Sequence, residues 1–133
     1  MGISMTKLIH LICDPDDKAG CSQRLEQALN KQAWVQLLIK GRKKAIIPQH
    51  LLPQGAGVII SSGGSSGGPQ LCLQPIGNLN QSADSTAQWL INQGIKPEKT
   101  ITFNALPMHH VSGLMPWWRS ITWGSSHIWI PPS

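Results

Sequence analysis

Ser61, Ser62, Gly63, Gly64, Ser65, Ser66, Gly67, Gly68 and Pro69 follow directly on the apolar run Gly57, Val58, Ile59, Ile60. A strand that delivers glycines and hydroxyls into a loop can turn several amides toward one point. Such a nest stabilises phosphate oxygens through converging N–H dipoles; glycine lets the backbone approach and serine adds donors. The same composition also serves as a flexible linker between two elements. Two phosphate fingerprints are excluded. No Gly-Lys-Ser/Thr closes the tract as in a Walker loop, and its glycines do not make the Gly-x-Gly-x-x-Gly of dinucleotide folds.

A second group of chemistry-bearing residues lies downstream: His109, His110, Ser112, Gly113, Trp118 and Arg119. The two histidines have no companion ligand at useful spacing, so no metal site is expected. Ser112 and Gly113 are small enough to let a ligand or a neighbouring element come close. Arg119, taken alone, reads as an arginine bonding the last carbonyls of a helix. Upstream, Lys40, Arg42, Lys43 and Lys44 carry most of the formal charge of +5. This cluster reads as a solvated basic turn that could also attract phosphate, RNA or anionic lipid; nucleic acid is the less favoured partner.

Ser62, Gly64, Ser65, Ser66, Gly67 and Pro69 fall into register with the Thr-Ser-Gly-Ser/Thr-Ser/Thr-Gly-x-Pro-Lys loop of AMP-forming acyl- and aryl-CoA synthetases, which the tract resembles. Leu106, Pro107, Met108, His109, His110, Val111, Ser112, Gly113 resembles that family's second landmark, Leu-Pro-Leu-Phe-His-x-x-Gly. His-Val-Ser-Gly followed by Trp118 and Arg119 is similar to the o-succinylbenzoate-CoA ligase branch of menaquinone and phylloquinone biosynthesis. The resemblance covers residues 57–131. It departs at Gly63, where a second serine is usual, and at Gln70, where the usual lysine is lost. A neutral amide offers phosphate no long-range attraction, so either ATP affinity falls or another residue takes the lysine's role.

The resemblance implies a nucleotide site at Ser62, Gly64, Ser65, Ser66 and Gly67. It implies acid-substrate contacts at His110, Ser112, Gly113 and Arg119, with His110 between acyl pocket and pantetheine tunnel and Arg119 facing a distal carboxylate. The implied reaction is ATP-dependent adenylation of a carboxylate followed by transfer to CoA, with Mg2+ accompanying ATP and no tightly bound cofactor. The partners are o-succinylbenzoate or a similar acid and the remainder of the enzyme. The family's ribose aspartate and catalytic lysine lie further downstream. The 133 residues are therefore expected to be one fragment of the N-terminal domain, with no catalytic residue assigned and no activity alone. The alternative is a non-catalytic module whose loop holds an anion and whose basic turn and Trp surface engage a protein or nucleic acid.

The elements that position these residues follow from pattern. Strands are predicted at 7–12, 57–60, 71–73, 100–103 and 127–130, with 34–39 either a strand or a continued helix. Helices are predicted at 21–32, with Ser22 a possible N-cap, at 78–93, with Leu79, Ala83, Ala87, Leu90 and Ile91 inward, and over most of 110–123, interrupted or opened by Pro116. The alternation predicts an α/β fold, a partial layer of an adenylate-forming domain, with some connections too short for every strand to be parallel. Apolar residues at 41% against charged residues at 13% exclude a disordered chain. Four of the six Trp crowd the C-terminal end, which is expected to be core or to self-associate. Three cysteines without Cys-x-x-Cys spacing fit a reducing cytoplasm, and the apolar stretch at 8–13 is too short for a membrane span.

Overall fold

The structure is a computed structural model, and it describes residues 6–62 and 70–131. Strand β1 (Lys7–Cys13), helix α1 (Lys18–Asn30), strand β2 (Ala33–Ile39), strand β3 (Gly57–Ser62) and strand β4 (Gln70–Pro75) form the first half. Their sheet has the order β1-β2-β3-β4. β1, β2 and β3 are parallel, and β4 returns antiparallel to β3. The short β3–β4 connection admits only an antiparallel return, whereas β1 to β2 crosses over through α1.

Residues 33–39 are a strand rather than a continued helix. Gln32 takes a positive φ of 62° and breaks α1, after which β2 pairs with β1 along its whole length, from Lys7 opposite Ala33 to Cys13 opposite Ile39. α1 starts earlier than predicted because Asp17, not Ser22, is its N-cap: the Asp17 carboxylate accepts from Gly20 N at 3.1 Å. Ser22 lies inside the helix, donates to the Ala19 carbonyl and accepts from Trp129 Nε1 at 3.1 Å.

Helix α2 (Ile76–Asn92), strand β5 (Ile101–Asn104), helix α3 (Val111–Trp123) and strand β6 (Ser126–Trp129) complete the chain, with β5 and β6 forming a parallel two-stranded sheet. Gly94, beyond the end of α2, has φ of 80°, the left-handed conformation expected of it. α2 buries Leu79 and Ala83, but Ile91 of the predicted face is 54% exposed. α3 runs unbroken through Pro116, against the expected interruption. The missing N–H at residue 116 costs only a bond to Ser112 in the first turns, and Ser120 Oγ donates to the Pro116 carbonyl at 3.1 Å.

The main core joins Leu11, Leu25, Leu29, Val35, Val58 and Leu79 with Met108, Leu114, Trp117 and Trp118. Trp117 and Trp118 are thus core, with Trp129 packed against it. Trp118 Nε1 donates to Asn80 Oδ1 at 2.9 Å and Trp123 Nε1 to the Ala83 carbonyl at 3.1 Å. Among the described residues no helix is long and apolar enough to cross a membrane.

Candidate functional site

The glycine/serine tract connects β3 to β4, with Ser62 opposite Gln70 at the end of the ladder. A buried strand, Val58 to Ile60, delivers it, as the sequence predicts. Gly64, Ser65, Ser66 and Gly67 lie outside the described residues, and Ser62 is placed only as the last residue of β3. The tract leaves the sheet at the C-terminal end of its parallel strands, the edge at which open α/β sheets hold ligands.

The second motif reaches the same edge from the other side. Residues 105–110 link β5 to α3, and a cavity of about 130 Å³ is lined there by Cys13, Asp14 and Lys18 from the end of β1 and start of α1, and by Pro107, Met108 and His109. The loop is held by Asn104, a buried residue at the end of β5. Its Oδ1 accepts from Leu106 N at 3.0 Å and its Nδ2 donates to the Gly113 carbonyl at 2.8 Å. The same Nδ2 lies 3.0 Å from His127 Nε2 on β6. Asn104 belongs to no sequence motif; an Asn ending a strand ahead of an irregular segment is the one available signal, since its amide readily serves nearby backbone.

Gly113 is buried, and a Cβ there would run into the Pro107 carbonyl. Its smallness therefore serves the seating of α3 on the preceding loop. His110 is exposed at the N-cap position of α3; its carbonyl accepts from Leu114 N at 2.8 Å while its imidazole caps nothing. His109 is half-buried, and its ring packs edge-on against His110 at a centroid distance of 4.5 Å. Burial, then His110, then the Arg42 guanidinium hold the His109 imidazole below its ordinary pKa, which favours the neutral ring.

Ser112 is exposed in the first turn of α3, and Arg119 stands seven residues on, along the same stripe and roughly 10 Å further up the axis. Arg119 is half-buried in mid-helix, so the helix-end reading does not hold. Its Nε is buried and has no hydrogen-bond partner among the described residues. His109, His110 and Gly113 come together around Pro107, whereas Arg119 lies about two turns away from them.

Two further charged groups escaped the sequence reading. Lys18 is buried, donates to the Ile130 carbonyl at 2.8 Å and sits 5.5 Å from the centre of the Trp129 ring. It ties the end of β6 to the start of α1. Asp14 accepts from Asp16 N and from Lys40 Nζ, and these contacts, the backbone one foremost, lower its pKa. Burial pushes the Cys13 thiol up to about 12, so it is no nucleophile at neutral pH. Among the described residues, no group of three or more His, Cys, Asp or Glu could hold a metal ion.

No protein-family model matches the chain, and no curated protein matches it. Solved structures do. o-Succinylbenzoate CoA synthetase from Bacillus subtilis in complex with AMP matches at a TM-score of 0.54 and 16% identity, covering 96% of this chain and 34% of that one. The same enzyme in complex with the acyl-adenylate intermediate OSB-AMP gives 0.53 and 16%, over 96% of this chain and 44% of that one. McyG A-PCP complexed with phenylalanyl-adenylate gives 0.51 and 14%, over 98% and 29%. The chain has the α/β fold of part of an adenylate-forming enzyme, and it spans about a third of the length of the first of these structures.

Proposed function

We propose that this chain supplies the phosphate loop and part of the acyl pocket of an AMP-forming acid–CoA ligase, with o-succinylbenzoate or a close relative as the acid. One observation carries the reading: the end of β3, from which the glycine/serine tract departs, and the histidine-bearing loop at 105–110 lie at the same edge of the sheet, the C-terminal end of its parallel strands. The solved structures of like fold hold AMP, ATP with magnesium, and an acyl-adenylate.

In this reading the carboxylate of the acid attacks the α-phosphorus of ATP and pyrophosphate leaves; the CoA thiol then displaces AMP. Amides and hydroxyls at Ser62, Gly64, Ser65, Ser66 and Gly67 hold the phosphates while charge moves toward pyrophosphate. Mg2+, arriving with ATP, neutralises part of that charge. His110 and the small Ser112 and Gly113 border the acid, and the Arg119 guanidinium answers its distal carboxylate. Residues 1–133 act as one unit of the N-terminal domain and do not complete the reaction alone.

Titration calorimetry of ATP into the chain tests this. Binding is expected, weakened about tenfold by Ser65→Ala with Ser66→Ala. Absence of heat at millimolar ATP, with the chain folded by circular dichroism, would count against it.

A further inference from the structure

β2 and β3 do not stay together to their ends. Their pairing runs from Trp34 opposite Gly57 to Gln36 opposite Ile59. Beyond that point β2 keeps to β1 as far as Ile39, and β3 keeps to β4 as far as Ser62. The strands splay, and a cleft of about 110 Å³ opens between them. Leu37, Leu38 and Ile39 of β2 line it on one side and Ser61 and Leu71 of β3 and β4 on the other, and Arg42, Lys43 and Lys44 join the lining from the segment after β2.

The basic segment is led there by the fold. Gly41 has φ of 82°, and Arg42 N donates to the Ile39 carbonyl at 3.1 Å, so the chain reverses directly after β2. Gln36 then pins the returning segment: its Nε2 donates to the Ala45 carbonyl at 3.0 Å. Gln36 is 2% exposed, and its Oε1 has no hydrogen-bond partner among the described residues.

The charges are available. Lys40 is engaged with Asp14 at 3.4 Å, whereas Arg42, Lys43 and Lys44 lie within ion-pair distance of no carboxylate among the described residues. The cleft is well below the roughly 300–1,000 Å³ of a pocket for a drug-sized ligand, a size that suits a small anion. It also borders Ser61, where the glycine/serine tract begins.

We propose that Arg42, Lys43 and Lys44, over the Gln36 floor, form a subsite for the pyrophosphate end of a nucleoside triphosphate. The proposal rests on the nucleotide-binding reading above. It gives the basic turn the role that the lysine usually following the loop's proline would have, in a chain that has Gln70 at that position. The cations attract the leaving phosphates from a neighbouring connection instead of from the loop itself.

The probe is inorganic pyrophosphate, titrated into the 133-residue chain and followed by 31P line broadening and calorimetry. The Arg42→Ala, Lys43→Ala, Lys44→Ala variant changes exposed side chains only and should remain folded by circular dichroism. It is expected to bind pyrophosphate about tenfold or more weakly, with a flatter salt dependence. A control variant at exposed Lys31 and Lys96 should bind as the parent does. Equal affinity of parent and triple variant, or no binding to either, would overturn the subsite. Pyrophosphate binding that is lost in the triple variant, without any ATP binding by the parent, would support the anion subsite while contradicting the nucleotide reading. A single-stranded RNA binding more tightly than pyrophosphate through the same residues would overturn the subsite in favour of a nucleic-acid surface.

Discussion

The Asn104 carboxamide donates to the Gly113 carbonyl at 2.8 Å, joining the end of β5 to the first turn of α3 across nine residues of the second motif. With its other atom accepting from Leu106 N, one buried side chain fixes the path of the whole 105–110 loop. Asn104→Ala leaves a buried acceptor and a donor unmade. Urea denaturation should show a loss on the order of 3 kcal/mol, and a loss below about 0.5 kcal/mol, within the range of ordinary surface substitutions, would show that the loop is held by something else.

His127 makes this junction sensitive to pH. Its Nε2 faces the Asn104 amide at 3.0 Å, and burial lowers its pKa from the ordinary 6.5. Nε2 can accept from that amide only while the ring is neutral. His109 is lowered as well. The unfolded chain therefore takes up protons first as pH falls, so stability is level above about pH 6.5 and declines as pH falls through the folded-state values. Urea midpoints from pH 8 to pH 5 should follow that course, and His127→Gln should flatten it. A midpoint that rises toward pH 5 would reverse the assignment.

Arg119 is half-buried, with an Nε that has no hydrogen-bond partner among the described residues, and under the proposed function its guanidinium meets the distal carboxylate of the acid. Arg119→Ala should weaken o-succinylbenzoate binding by about 1.5–3 kcal/mol while leaving ATP affinity within a factor of about two. Arg119→Lys should restore only part, because a point charge lacks the planar fork. Equal losses for both ligands would make Arg119 a structural residue.

One face of the β5–β6 sheet is exposed and apolar, with Ile101 62%, Phe103 65% and Ile128 45% exposed. A patch of this kind tends to be covered. We expect the isolated chain to associate with itself, and Phe103→Glu to return it to monomer. Light scattering that reports a monodisperse parent monomer across a wide concentration range would remove this idea.

What was legible in the sequence was what local chemistry decides. Val58 to Ile60 announced a buried strand, Gly94 a helix end, and the alternation of elements an α/β layer. Residues 34–39 were ambiguous because only pairing with β1 makes them a strand. Ser22 looked like a cap because it precedes the apolar periodicity, but Asp17, following the Asp14–Asp16 turn, reached the free amides first. The candidate site was legible as two motifs and not as a place. That Gln36 holds Ala45, that Arg42 bears on His109 and that Lys18 reaches Ile130 are tertiary facts, set by where strands splay and turns close.

The central claim, that the edge shared by the two motifs receives ATP phosphates, is tested most directly by adding Mg·ATP to 15N-labelled chain and following amide shifts. The account predicts the largest shifts at Ser61 to Gly68 and at Arg42 to Lys44, smaller ones at His109 and His110, and almost none along α2. Shifts that centre on α2 or the exposed β5–β6 face, or no shifts at millimolar nucleotide, would contradict it.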